Sequence, residues 1–288
     1  MYVITGITGK VGGATARELL NKGQPVRAVM RDANKAAFWQ ALGCEIAIAN
    51  MDNAPQLIEA FKGATGVFIL PPSEFDPAPG FPEARKVIAA VSSAIKATHP
   101  EKVVCLSTIG AQAVQTNLLT QRTLIEKDLA KLNLPVAFLR PGWFMENAAM
   151  DIDAARDHGV IQSYLQPLDK AVPMIATADI GRVAAILLQQ HWSGQRVVEL
   201  EGPRPVSPND IADTFADILG HPVVAKAVPR ASWESMFRAQ GTQNPLPRIR
   251  MLDGFNEEWI RFEGEKKDRV IGEVELARVL REMLLKNK

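Results

Sequence analysis

Ten residues near the amino terminus, Ile4-Thr5-Gly6-Ile7-Thr8-Gly9-Lys10-Val11-Gly12-Gly13, restrict what this chain can fold into more than any other stretch. The apolar lead Tyr2-Val3-Ile4 reads as a short buried strand. Residues 14–20 read as a helix, closed by Gly23. Strand, glycine turn and helix in that order build a dinucleotide-binding entrance. Gly6 turns the chain sharply off the strand, Gly9 lets backbone approach a pyrophosphate, and Gly12 lets the helix pack closely on the strand. The free N–H groups and positive dipole end of the helix then face the phosphates. The spacing is G-x-x-G-x-x-G, not G-x-G-x-x-G. Three glycines in a turn also describe an ordinary connection, so the elements that follow have to decide between the two.

They alternate strand with helix. Residues 25–31 form a second strand, 34–42 a helix stopped by Gly43, 44–49 a third strand, 55–61 a short helix and 66–70 a fourth, fully apolar strand. Residues 83–97 are helical, 102–108 a fifth strand ending in Ser107 and Thr108, 117–132 a helix, and 135–142 a sixth strand with its exit. This alternation specifies an α/β fold with a doubly wound parallel sheet of the Rossmann kind. Residues 1–150 are expected to form the nucleotide-binding domain. Residues 151–288 are expected to form a smaller α+β lobe, interleaved with pieces near 172–202 that return to the sheet. In that second part, 143–156 reads as helix, 171–176 as extended, 179–190 as helix and 196–200 as strand. Further on, 207–219 reads as a helix opened by Ser207-Pro208, 223–228 as strand, and 232–240 and 273–286 as helices.

The second strand ends in Met30-Arg31, where a ribose-binding acid would otherwise stand, with Asp32 just beyond. A guanidinium there pairs with a 2′-phosphate and stacks on adenine. Lys35 and Lys10 supply further cations, which points to NADP(H) in preference to NAD(H). Asn50 and Met51 leave the third strand where an adenine ring would lie. The segment 71–82 carries five prolines and neither a helix nor an inner strand can contain it. It is either a stiff pocket wall carrying Phe75 and Phe81 or a plain surface connection.

Among 288 residues, 47% are apolar and 23% charged, with a net charge of +1. These values belong to a globular protein and offer no electrostatic footprint for nucleic acid or an anionic membrane. No apolar run reaches the length of a membrane span, and a first strand at Tyr2 leaves no space for a targeting peptide. Cys44 and Cys105 lie in apolar runs without metal-ligand spacing, as expected of reduced thiols in a cytoplasmic protein. The four histidines have no patterned partners.

Four stretches together resemble the NmrA-like family, atypical members of the short-chain dehydrogenase/reductase superfamily. They are the glycine segment from Val3 to Gly13, Val26-Arg27-Ala28-Val29-Met30-Arg31-Asp32, Leu106-Ser107-Thr108-Ile109-Gly110-Ala111, and Leu139-Arg140-Pro141-Gly142-Trp143-Phe144-Met145-Glu146-Asn147. The resemblance continues through Ala178-Asp179-Ile180 and Gly254-Phe255-Asn256. It implies NAD(P)H held by Gly6, Ile7, Thr8, Gly9, Lys10, Val11 and Gly12, with Arg31 matched to the 2′-phosphate. It also implies cofactor contacts at Asn50, Met51, Leu70, Pro71, Pro72, Trp143, Phe144, Met145 and Glu146. Family members are NADPH-dependent reductases of quinones or other conjugated acceptors, or nucleotide-sensing regulators without turnover.

One departure matters. The superfamily's Tyr-x-x-x-Lys pair falls on Leu118 and Arg122. Leucine donates no proton, and Arg122 can bind ribose hydroxyls but does not deprotonate. Hydride transfer to a quinone-like acceptor survives this loss, because the cofactor carries the chemistry. The leading expectation is therefore an NADPH-dependent reductase of a small flat acceptor. Its nicotinamide would lie near Pro71, Ser107, Thr108 and Pro141, with Thr108 on a substrate oxygen, and Phe75, Trp143, Phe144 and Trp259 around the acceptor. The alternative is an NADP(H)-binding redox sensor acting through a protein partner. A homodimer is compatible with either.

Overall fold

The computed structural model describes residues 1–286; Asn287 and Lys288, the last two residues of the expected lobe, lie outside the described residues. Eight strands form one fully parallel sheet. They are β1 (Tyr2–Thr5), β2 (Val26–Met30), β3 (Glu45–Ile48), β4 (Gly66–Ile69), β5 (Lys102–Leu106), β6 (Val136–Pro141), β10 (Gln195–Glu201) and β12 (Val270–Ile271). Their spatial order is β12-β10-β6-β5-β4-β1-β2-β3. The chain runs outward from β1 to β3, then restarts at β4 on the other side of β1. This reversal opens a crevice at the carboxyl ends of β1 and β4.

Because both faces are covered, the inner strands are apolar throughout rather than alternating. All four residues of β4 are buried. One face carries α1 (Lys10–Asn21), α2 (Ala36–Ala41) and α7 (Thr177–Gln189), with Ile4, Leu19, Trp39, Ile180 and Leu188 in a common core. The other carries α3 (Ala54–Phe61), α4 (Pro82–Thr98) and α5 (Thr120–Leu129), with Phe61, Val91, Ile95, Ile125 and Leu129 buried together. Gly181 sets the approach of α7 to α1, since a Cβ there would lie 2.4 Å from that of Ala14.

The remaining elements form the lobe: α6 (Ile152–His158), α8 (Pro208–Leu219), α9 (Trp233–Ala239), α10 (Leu246–Asn256), α11 (Leu276–Lys286), and the parallel pair β8 (Val160–Ser163) and β11 (Val224–Ala227). Ser207 and Asp210 close a reciprocal capping box on α8. The last sheet strand, β12, comes from residues beyond the 172–202 stretch. It is held to β10 by the Gly272 N–H to Glu201 O bond of 2.7 Å, and to α7 by Asp179, which accepts the N–H groups of Glu273 and Val274 at 3.0 and 2.9 Å.

The stretch 143–156 differs from the helix expected of it. Trp143–Phe144 is a short strand, β7, paired with β9 (Met174–Ile175), and 3-10 turns over Met145–Asp151 follow before α6 begins. The Trp143 N–H is drawn to Pro173 O at 2.8 Å, and Gly142 has no Cβ where one would lie 2.6 Å from that same oxygen. This close pairing fixes an extended backbone where local propensity favours helix.

Cys44 and Cys105 are buried free thiols, and burial pushes both above the ordinary thiol range. An alkylating reagent at pH 8 is therefore expected to modify the native protein far more slowly than the denatured chain. Equal rates in the two states would show that one thiol is accessible. No helix among the described residues is long and apolar enough to cross a membrane.

Candidate functional site

The site is assembled on the crevice. The Thr5 hydroxyl at the end of β1 donates to Phe68 O at 3.0 Å and accepts the Leu70 N–H at 2.8 Å, holding the exits of β1 and β4 side by side. Gly6 then turns at φ +62°, with the Leu70 side chain folded over its bare Cα. Gly9 donates to Gly6 O at 2.9 Å and becomes the N-cap of α1. It brings no capping side chain, and the first turn of α1 contains no acid. The leading N–H groups of a twelve-residue helix thus face the crevice without a side-chain acceptor, which suits a phosphate. Val11 is buried and offers only its backbone.

Beside the turn lies a cleft of about 420 Å³. Lys10 and Arg17 reach it from α1; Lys35, Phe38 and Trp39 reach it from the segment after β2. Arg31 stands exposed at the end of β2 but outside the wall of this cleft. Among the described residues, Lys10, Arg17, Arg31 and Lys35 make no ion pair and no side-chain hydrogen bond. The neighbouring acid, Asp32, is engaged: it accepts the Asn34 N–H at 3.0 Å and caps a short 3-10 turn. Asn50 is exposed at the end of β3, and Met51 packs half-buried on the core of the α3–α4 face.

The proline loop is tied on both sides. From α5, Gln121 exchanges two bonds with the backbone of Glu74, at 2.8 and 3.1 Å. Arg122 donates to Pro71 O (2.9 Å), Pro72 O (3.3 Å) and Ser73 Oγ (2.6 Å). Burial lowers this guanidinium to about 10, still charged at neutral pH. From the lobe, the backbone N–H groups of Gln243 and Asn244 both donate to Asp76 at 2.7 Å, and Asn244 Nδ2 donates to Pro77 O at 2.8 Å. These bonds make the loop a wall between the two parts of the molecule rather than a loose connection. They also direct the Arg122 guanidinium onto the loop carbonyls, so Arg122 acts as its brace.

The exits of β5 and β6 lie next to each other, with Ser107 N–H on Leu139 O and Ile109 N–H on Pro141 O, each at 2.8 Å. Thr108 is half-buried between them. Beneath them runs a buried ionic cluster absent from the sequence-based expectations. Arg140 grips Glu126 with both arms (2.9 and 2.6 Å) and reaches Glu263 at 2.8 Å, while the Ser107 hydroxyl donates to Glu126. Burial works against the charge of Arg140. The hydrogen bonds and charge of Glu126, and then of Glu263, outweigh it and hold the guanidinium above its ordinary range.

The expected aromatic enclosure is not assembled around one cavity. Trp143 and Phe144 are consecutive strand residues, so they face opposite ways: Trp143 packs edge-on to Phe255 at 5.1 Å in the lobe, and Phe144 packs on the sheet core. Phe75 is 65% exposed. Trp259 lines a separate cavity of about 570 Å³ with Gln112, Glu263 and Arg269. Met145 and Glu146, expected at the cofactor, are turned inward. Met145 is 2% exposed, and the Glu146 carboxylate caps α7 by accepting the N–H (2.8 Å) and hydroxyl (2.5 Å) of Thr177.

Among the described residues no cluster of three or more His, Cys, Asp or Glu side chains is placed to hold a metal. The site instead fits a phosphate-bearing dinucleotide, through the uncapped helix, the bare glycine turn and the unpaired cations. Arg17 and the Glu126–Arg140 pair were missed by the sequence reading. The one local signal for Arg17 is its place seven residues after Lys10, on the same helix face.

Comparison with known proteins agrees with this fold. A model of the NmrA-like family matches residues 2–255. NAD(P)H azoreductase of Xenophilus azovorans is 27% identical over 260 residues, covering 89% of this chain and 85% of the relative. The crystal structure of NADPH-dependent quinone oxidoreductase QOR2 from Escherichia coli, complexed with NADPH, superposes with a TM-score of 0.80 at 22% identity and covers 99% of this chain and 100% of that one. Citrobacter sp. triphenylmethane reductase complexed with NADP(H) superposes with a TM-score of 0.78 at 16% identity, covering 98% and 99%.

Proposed function

We propose, from the premise that this chain belongs to the NmrA-like family, that it is an NADPH-dependent reductase of a flat conjugated acceptor such as a quinone or an azo compound. One observation carries the reading: an uncapped helix N-terminus behind a bare glycine turn opens beside a cleft whose cations make no ion pair among the described residues. The relatives named as azoreductase and quinone oxidoreductase support the acceptor class.

The reduced nicotinamide, when bound, supplies a hydride. The protein's residues do the rest. The N–H groups of α1 and the turn from Gly6 to Gly12 hold the pyrophosphate. Arg31 and Lys35 face the ribose phosphate, and Asn50 and Met51 border the adenine. Leu70, Pro71 and Pro72, braced by Arg122, form one wall of the nicotinamide site. Ser107, Thr108 and Pro141 form its floor, with Trp143 at its lobe side. Leu118, buried in the turn two residues before α5, offers no proton. The acceptor is then left to draw its proton from solvent, which suits a quinone better than the usual alcohol chemistry.

Titration with NADPH and NADH, followed by absorbance at the nicotinamide band with a panel of quinones and azo dyes, tests the reading. Acceptor-dependent oxidation supports it. Tight binding with no oxidation by any acceptor favours a redox sensor instead. For a sensor, the Asp76 bonds to Gln243 and Asn244 give a route from the cofactor wall to the lobe. Arg31→Glu is expected to weaken NADPH by about 10–100-fold, the worth of one charge-assisted contact, and NADH far less. An equal loss for both would show that Arg31 does not read the 2′-phosphate.

A further inference from the structure

We infer that Arg17 is a second specificity-determining residue for the cofactor, folded back along α1 to receive the ribose phosphate opposite Lys35. This inference rests on the NADPH reading above and extends it to a residue outside the glycine motif and outside the strand-end position.

Helical side chains lean toward the helix N-terminus, so Arg17 points back over the preceding turn. The residue it crosses is Gly13, and a Cβ placed there would lie 3.4 Å from both Nη1 and Nη2 of Arg17. The fourth glycine of the motif is thus the space in which the guanidinium lies. On its other side, the Arg17 guanidinium carbon is 5.8 Å from the centre of the Trp39 ring, within cation–π range. Trp39 is itself buried and braced edge-on by Phe38 at 5.2 Å. Arg17, though exposed, is therefore oriented between bare backbone and an aromatic face.

The charge arrangement then asks for an anion. Lys10, Arg17 and Lys35 line one cleft of about 420 Å³ with no acid on its wall. Three like charges lining one cleft repel one another, and a phosphate dianion relieves the repulsion. A guanidinium presents two parallel N–H donors that match two phosphate oxygens. Arg31 lies outside this wall, so the cleft's own cations are independent of the strand-end arginine.

The test uses the full-length protein and two small probes, 2′,5′-ADP and 5′-AMP, which differ by the ribose phosphate. Wild type should prefer 2′,5′-ADP. Arg17→Ala should weaken 2′,5′-ADP about tenfold and leave 5′-AMP within about twofold, with Arg17→Lys intermediate because it keeps charge without the fork. The salt dependence of 2′,5′-ADP binding should also become shallower. Arg17 is exposed, and an unchanged melting temperature of the variant serves as the folding control. If wild type prefers 2′,5′-ADP and Arg17→Ala keeps that preference, the role of Arg17 is overturned while the NADPH reading stands. If wild type binds both probes equally, the NADPH reading fails and this inference fails with it.

Discussion

Glu126→Leu is expected to destabilise the protein by about 3–5 kcal/mol, the usual consequence of removing one partner of a buried ion pair. Glu126 is 8% exposed and Arg140 5% exposed, and two parallel hydrogen bonds join them. Without the carboxylate, the Nε and Nη2 groups of Arg140 lose their acceptors and the Ser107 hydroxyl loses its own. Glu263 still holds Nη1 from a largely exposed position, which places the expected loss at the lower end of that range. The double variant Glu126→Leu/Arg140→Met removes both charges and should recover most of the stability, because the gain of a buried pair over a well-packed apolar pair is small. Denaturant titration of the two single variants and the double variant closes this cycle. A loss below about 1 kcal/mol in Glu126→Leu would mean that water reaches the pair and solvates what remains.

Gly12→Ala is the second change with a large expected effect, this time on binding. An added Cβ would lie 2.4 Å from Gly6 O, 2.7 Å from Gly6 C and 3.0 Å from Ile7 N. All three atoms are backbone of the turn itself, so no side-chain rotation relieves the contact. Either the turn opens or α1 moves off β1, and both displace the N–H groups that face the phosphates. Overpacking of this kind costs roughly 1–3 kcal/mol in stability. NADPH affinity should fall by about tenfold or more, because that geometry is the anion site. Gly9→Ala is the comparison: its Cβ would meet only Gly6 O, at 3.3 Å, and it should lose less stability than Gly12→Ala. Wild-type NADPH affinity in Gly12→Ala would show that the glycine turn does not hold the cofactor.

The division of information between sequence and tertiary structure follows from the range over which each acts. Glycines at a turn and apolar runs in parallel strands are local signals. From them the strand–turn–helix entrance, the α/β alternation, the doubly wound sheet and the cations Lys10, Arg31 and Lys35 were legible. The Gly12 close approach was legible too, because helix and strand are joined by that one short turn. The partners of charged side chains were not legible. Glu126 and Arg140 are 14 residues apart, Arg140 and Glu263 are 123 apart, and Asp76 and Asn244 are 168 apart. No local pattern announces such pairs. The brace role of Arg122, the inward turn of Met145 and Glu146, and the separation of Phe75, Trp143 and Trp259 have the same cause: each depends on which distant segment packs beside it. Arg17 lies between the two cases. Its helix face could be read from its spacing to Lys10, but only the packed structure sets it against Trp39, because that contact exists only once α2 docks beside α1 on the sheet.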